Sequence, residues 1–330
     1  MSPRRRLAGL AAAAALLAAA TAAPAFEPVS HPVLTTAEPE VRRQLERERR
    51  VLDAALVDDP APAAAAAAYG ALGEIYQAYD LLDAAAGCYR NALAAVPGEP
   101  RWTHLLGVVE RLEGRLEDAA ERFRAVVERE PENLAAWLHR AAVELELGRR
   151  DAARRSAEAA LALDGGSAAA YLTLGRVARA DGDHGLAAER FERALEIEPG
   201  AKRLHYLAGL ARRRTGDLDA ARRHLAQQGP GEPGFADPRL VSVYASLRGS
   251  AALMQRGAKA EVAGQMEASI SIYRRAVEVA PESPEARRDL GALLTRAGRP
   301  QEALEHYREA VRLEGDRGLN HFEHQAQHEM

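Results

Sequence analysis

A single cysteine, Cys88, in 330 residues excludes an internal disulfide, so an oxidising compartment would contribute no staple to this chain. Cys88 is expected to pack as a small apolar side chain. Lysine is almost as scarce: Lys202 and Lys259 stand against 44 basic residues in total, so nearly all positive charge is guanidinium. With the excess of alanine, that bias points to a GC-rich bacterial genome. Aromatic residues make up only 5%, which argues against a mixed sheet with a large aromatic core and in favour of long helices. Beyond residue 25 no uncharged apolar run approaches the roughly 20 residues needed to cross a bilayer. There is no Gly-rich phosphate loop, no His-Glu-x-x-His helix and no Cys-x-x-Cys-His haem site. The residues therefore offer neither a nucleophile beside a base nor a cofactor cradle, and neither an enzyme nor a cofactor is expected.

The N-terminus carries a recognisable signal. Arg4, Arg5 and Arg6 precede an Ala/Leu run from Leu7 to Ala23, and Ala23-Pro24-Ala25 has the small-residue pattern of a signal-peptidase site. This predicts an exported mature chain beginning at Phe26, with the periplasm of a Gram-negative cell as its destination. No membrane insertion is expected after cleavage. Removing residues 1–25 takes away three arginines and no acid, moving the formal net charge from −4 to −7. That balance argues against a general nucleic-acid or anionic-membrane binder.

What the chain does have is a repeat. Gly73, Gly107, Ala141, Gly175 and Gly209 recur every 34 residues, and Ala85, Ala119, Ala153, Ala187 and Ala221 keep the same interval. So do Tyr89, Phe123, Ala157, Phe191 and Leu225, and a fourth column runs Pro97, Pro131, Gly165, Pro199 and Pro233. Small residues suit a close helix crossing, large ones are expected to fill the space between neighbouring hairpins, and proline closes each unit because it cannot continue a helix. Turn signals such as Glu113-Gly114-Arg115 and Ala180-Asp181-Gly182-Asp183 separate the two helices of a unit.

Tyr171-x-x-Leu174-Gly175, Gly182, Ala187, Phe191, Ala194 and Pro199 together resemble the tetratricopeptide (TPR) motif, and Tyr69 through Pro97 resembles it nearly as well. The resemblance implies an all-α, right-handed solenoid of about seven helix-turn-helix units. It also implies that the first helix of each hairpin lines the concave side, and that the protein binds a protein or peptide partner. After Pro233 the register breaks at Gly229-Pro230-Gly231-Glu232-Pro233-Gly234, and Asp237-Pro238 reads as a fresh helix start. A long helix from Pro238 to Val262, kinked near Gly249-Ser250, is expected to cap the fifth unit and open the sixth. The chain then divides into a signal over 1–25, a leader and capping helix over 26–60 and five tandem units over 61–235. A long helix and two further units follow over 236–317, with a histidine-containing tail over 318–330. The leader from Phe26 to Glu38 lacks periodicity and is expected to be flexible, whereas Pro39 to Leu56 has Val41, Leu45, Leu52 and Leu56 near one face.

Residues lying between the packing columns of the first helices should face a partner. They include Arg101, His104 and Arg111 in the second unit, Arg176 and Arg179 in the fourth, and Arg203, Tyr206, Arg213 and Arg214 in the fifth. Seven arginines and no acid in these positions suit an acidic or C-terminal peptide, recognised by paired guanidinium–carboxylate hydrogen bonds. Glu74 and Glu146 interrupt the stripe. A spacer that self-associates is the alternative reading. His321, His324 and His328 would align on a helix and could ligate zinc or copper, but three histidines with no cysteine and no packed support make a weak site, and a disordered polar tail is the expectation.

Overall fold

A computed structural model describes residues 26–32, 38–57, 61–229, 232–262 and 266–328, with side chains to residue 315. The signal segment lies outside the described residues. Sixteen helices and no strand occur among the described residues, and no helix there is long and apolar enough to cross a membrane.

Five hairpins follow the 34-residue interval. They are α2 (Pro62–Ala78) with α3 (Leu82–Ala95), α4 (Pro100–Leu112) with α5 (Leu116–Arg129), and α6 (Leu134–Glu146) with α7 (Arg150–Leu163). The fourth and fifth are α8 (Ala168–Ala180) with α9 (His184–Ile197), and α10 (Arg203–Arg214) with α11 (Leu218–Ala226). After the short α12 (Pro238–Ala245), the sixth and seventh are α13 (Gly249–Val262) with α14 (Met266–Val279), and α15 (Pro284–Arg296) with α16 (Pro300–His328). Ahead of them all lies α1 (Pro39–Ala55).

The repeated glycine and the repeated large residue meet inside one hairpin, and the large residue also fills the space to the next hairpin as expected, Tyr89 stacking on Trp102 and Phe123 on His139. A Cβ added at Gly73 would lie 2.8 Å from the Tyr89 ring, at Gly175 2.5 Å from Phe191, at Gly209 2.9 Å from Leu225 and at Gly257 2.7 Å from Tyr273. The glycine is a socket for the ring sixteen residues on. Tyr89, Phe123 and Phe191 are completely buried there, and the alanine column is buried with them. In the third unit both members shrink together, and Ala141 and Ala157 pack with Leu174. Each of the first five hairpin turns closes by the same bond, from the backbone N–H after the left-handed turn residue to a carbonyl five residues earlier, as Arg115 to Glu110, Arg149 to Glu144 and Asp183 to Ala178. This closure needs a left-handed residue. Gly114, Gly148, Gly182 and Gly216 supply it, and in the first unit Asp80 does so at φ 57°.

The chain divides into two compact units. One comprises the leader through His31 with Val51–Val241, the other Pro32–Arg50 with Ser242–Met330. Four expectations change. The start of the leader is packed rather than free: the Phe26 and Tyr69 rings lie 5.0 Å apart, and Glu27 and Asn91 exchange two 2.8 Å hydrogen bonds. The amphipathic face of α1 is buried as expected at Val41, Leu45 and Leu52, but its first turns belong with the sixth unit. There Gln44 Nε2 donates to the Ser246 carbonyl at 2.7 Å, and Glu38 accepts from the Ser250 backbone N–H at 3.1 Å and from its hydroxyl. The expected long helix is two helices, α12 and α13, broken at Ser246–Arg248 where Gly249 takes a positive φ. Finally, α16 continues through 318–328 instead of ending near 317. The side chains of His321, His324 and His328 lie outside the described residues.

Candidate functional site

The site is the face of the first unit formed by α4, α6, α8 and α10, the opening helices of successive hairpins. Along it runs the chain's own segment from Glu232 to Leu240. Glu232 Oε1 lies 2.7 Å from the Arg176 guanidinium on α8 and 2.8 Å from that of Arg203 on α10. Three residues on, the Phe235 ring stands edge-on to His139 of α6, with centroids 5.0 Å apart. Asp237 Oδ2 accepts from His104 Nε2 of α4 at 2.7 Å and from His139 Nε2 at 3.0 Å. Arg239 then donates to both Glu130 oxygens at 2.8 and 2.7 Å and to the Pro100 carbonyl at 3.3 Å. Leu240 packs against the core of Val108, Phe123 and Val143. The segment thus retraces the array from the fifth unit to the second, and α12 does not cap the fifth unit.

Local sequence explains the path. Pro233 and Pro238 keep the residues before them out of helical conformation. Asp237 then caps α12, its Oδ1 accepting from Arg239 N at 2.9 Å and Leu240 N at 3.4 Å. Its other oxygen is left for the two imidazoles.

This cluster is dry. His104, His139 and Asp237 are each less than a tenth exposed, and the Phe123 ring stacks on His139 at 5.0 Å and meets His104 edge-on at 5.5 Å. Burial opposes ionisation of Asp237, but the hydrogen bonds from His104 and His139 outweigh it and hold the carboxyl well below the usual carboxylate range. Burial lowers the pKa of His139 in spite of its bond to Asp237, which favours a neutral imidazole. Nδ1 of His104 and Nδ1 of His139 are buried with no partner among the described residues.

The face residues named from sequence separate into four groups. His104 is fully buried beneath the segment rather than displayed. Arg101 and Arg111 are spent on the two acids that interrupt the stripe, lying 2.6 Å from Glu74 and 2.6 Å from Glu146 respectively. Arg176 and Arg203 hold Glu232. Arg179, Tyr206, Arg213 and Arg214 are exposed, and the three arginines make no ion pair among the described residues. His139 and Asp237 were missed. His139 stands one position out of register with His104, and Asp237 lies about a hundred residues further on in a loop, so no spacing rule joins them. Their contact depends on the segment folding back.

Comparison with known proteins agrees with the architecture. Models described as tetratricopeptide repeat match residues 71–121, 111–176, 178–247 and 250–313. No curated protein matches the chain. Among solved structures, MamA shares 26% identity over 49% of this chain and 88% of its own, with a TM-score of 0.47. YrrB, titled a TPR protein with an unusual peptide-binding site, shares 18% over 56% of this chain and 91% of its own, also at 0.47. A tetratricopeptide repeat protein from Parabacteroides merdae shares 16% over 77% of this chain and 98% of its own, again at 0.47. With a small residue and its packing partner recurring every 34 residues through five hairpins, the glycine and ring pairing again in the sixth and seventh, and repeat models matching most of its length, this chain belongs to the tetratricopeptide repeat family.

Proposed function

We propose that this protein is an exported, non-enzymatic scaffold that binds an acidic segment of a partner polypeptide along the face of its first helices. The reading rests on Glu232. Two arginines from neighbouring units converge on one carboxylate of an extended segment, so the face already performs, on its own chain, the recognition expected for a partner. Charge-assisted guanidinium–carboxylate bonds are the strong kind, and their fork geometry selects carboxylates. The same helices carry Arg179, Arg213 and Arg214 without ion pairs among the described residues, beside the exposed Tyr206. Because Glu74 and Glu146 neutralise the second unit's arginines, the acid-binding surface is concentrated in the fourth and fifth units. The basic start, the apolar run and Ala23-Pro24-Ala25 support export to the periplasm.

The test is affinity capture from the native envelope with the wild type and with Arg179→Glu, Arg213→Glu, Arg214→Glu combined, which leaves both Glu232 contacts in place. The wild type is expected to retain a partner in a salt-sensitive manner and the variant to lose it. Undiminished capture by a folded variant would overturn the acidic-ligand reading. Self-capture of this chain alone would favour a self-associating spacer.

A further inference from the structure

The cluster of His104, His139 and Asp237 does more chemistry than a hydrogen-bonded latch requires. Two imidazole nitrogens and one carboxylate oxygen, from α4, α6 and the cap of α12, converge so that the three donor atoms lie within 4.8 Å of one another. Both Nε2 atoms are aimed at the same oxygen, at 2.7 and 3.0 Å. A tetrahedral ion with N and O ligands at about 2.0–2.1 Å holds them about 3.3 Å apart, so accommodating one would spread the two bonded pairs by only a few tenths of an ångström. Among the described residues no arginine or lysine pairs with Asp237, so its carboxylate faces the two imidazoles without a permanent cation. The other buried or half-buried carboxylates bonded on or beside these helices, Glu74, Glu110, Glu130 and Glu144, each have an arginine.

We propose that His104, His139 and Asp237 bind a divalent transition metal ion with zinc-like ligand preference, which fastens the 232–240 segment onto the second and third units. Neutral imidazoles and a carboxylate suit zinc and its neighbours rather than calcium or magnesium, which take oxygen-only shells. The walls of Phe123 and Phe235 keep the dielectric low, which strengthens the attraction between the ion and Asp237. On binding, each neutral imidazole moves its proton from Nε2 to Nδ1 and presents the freed Nε2 lone pair to the ion, so no net proton is released. Three protein ligands leave the fourth position to a small exchangeable ligand. Because neither Nδ1–H meets a carboxylate or carbonyl, affinity is set about 10–100-fold below that of a supported site.

The experiment uses the full mature chain, freed of metal by a chelator, with His321→Gln, His324→Gln and His328→Gln to remove the tail histidines. Calorimetric titration with Zn2+ should show one saturable site, and Co2+ should give the visible absorption of a four-coordinate centre. Adding His139→Gln, or separately Asp237→Asn, should weaken binding by at least about tenfold, each ligand being worth no less than a supporting group. Amide exchange through 235–241 of the unsubstituted chain should slow on Zn2+ addition, a readout that needs no ligand variant to fold. Absence of saturable binding once the tail histidines are removed, retention of full affinity by both ligand variants, or unchanged exchange at 235–241 in the presence of Zn2+ would each overturn the site. None of these results bears on Arg179, Arg213 and Arg214, so the metal site and the acidic-ligand reading fail separately.

Discussion

Gly175 and Phe191 occupy one volume between them. The absent Cβ of the glycine is where the ring edge lies, 2.5 Å from where that carbon would be, and Phe191 is fully buried with no room to retreat. Gly175→Ala should therefore destabilise the first compact unit. The loss is about 1–3 kcal/mol, the range for overpacking, even though alanine is the better helix former by up to about 1 kcal/mol. Pairing it with Phe191→Leu should restore part of the loss, because Leu225 already fills the same socket opposite Gly209. Urea unfolding of the single and double variants measures this. Additive losses would show that the two residues do not share the space. A similar economy operates at the turns: Asp80 accepts a left-handed backbone where five later units use glycine, at a cost of about 1–2 kcal/mol for a residue with a Cβ.

At the scale of elements, the segment from Glu232 to Leu240 behaves as a ligand tethered to its own binding face. A short tether supplies an effective concentration in the millimolar range, so a free peptide of residues 229–241 should bind the wild type poorly. When Glu232→Ala and Asp237→Ala loosen the tethered copy, the same peptide should bind at least about tenfold more tightly, with an affinity that falls as salt rises. Fluorescence anisotropy of a labelled peptide reads this directly, and equal binding by both proteins would mean that the segment does not occupy the recognition surface. The hairpins that form this face were legible from the 34-residue columns, since each column reports a contact inside or between adjacent units. Arg176 and Arg203 were legible for the same reason, as positions between the columns. The segment's destination was not. Pro233, Asp237 and Pro238 announce a turn and a helix cap, but nothing local says that the carboxylate left over from the cap will meet His104 and His139, which lie 133 and 98 residues away.

On the scale of the molecule, a simple solenoid contacts only its neighbours in sequence, and its stability is a sum over units and their interfaces. The second compact unit departs from that rule, because its sixth hairpin is completed by residues from the opposite end of the chain. Gln44 reaches the Ser246 carbonyl across 202 positions, and Glu38 meets the Ser250 backbone and hydroxyl across 212. These bonds satisfy the groups exposed where the chain breaks between α12 and α13. Gln44 is buried, so truncating it leaves a carbonyl without its donor as well as removing a bond. Glu38→Ala with Gln44→Ala should then cost the second unit about 1–3 kcal/mol, given the worth of charged hydrogen bonds and the penalty for stranded groups. Amide exchange should quicken through 249–262 and 266–279 while the hairpins over 100–197, which belong to the other compact unit, keep their protection. Uniform loosening of both regions would show that the chain unfolds as one cooperative body. Unchanged exchange in α13 would show that the N-terminal helix does not support the sixth hairpin.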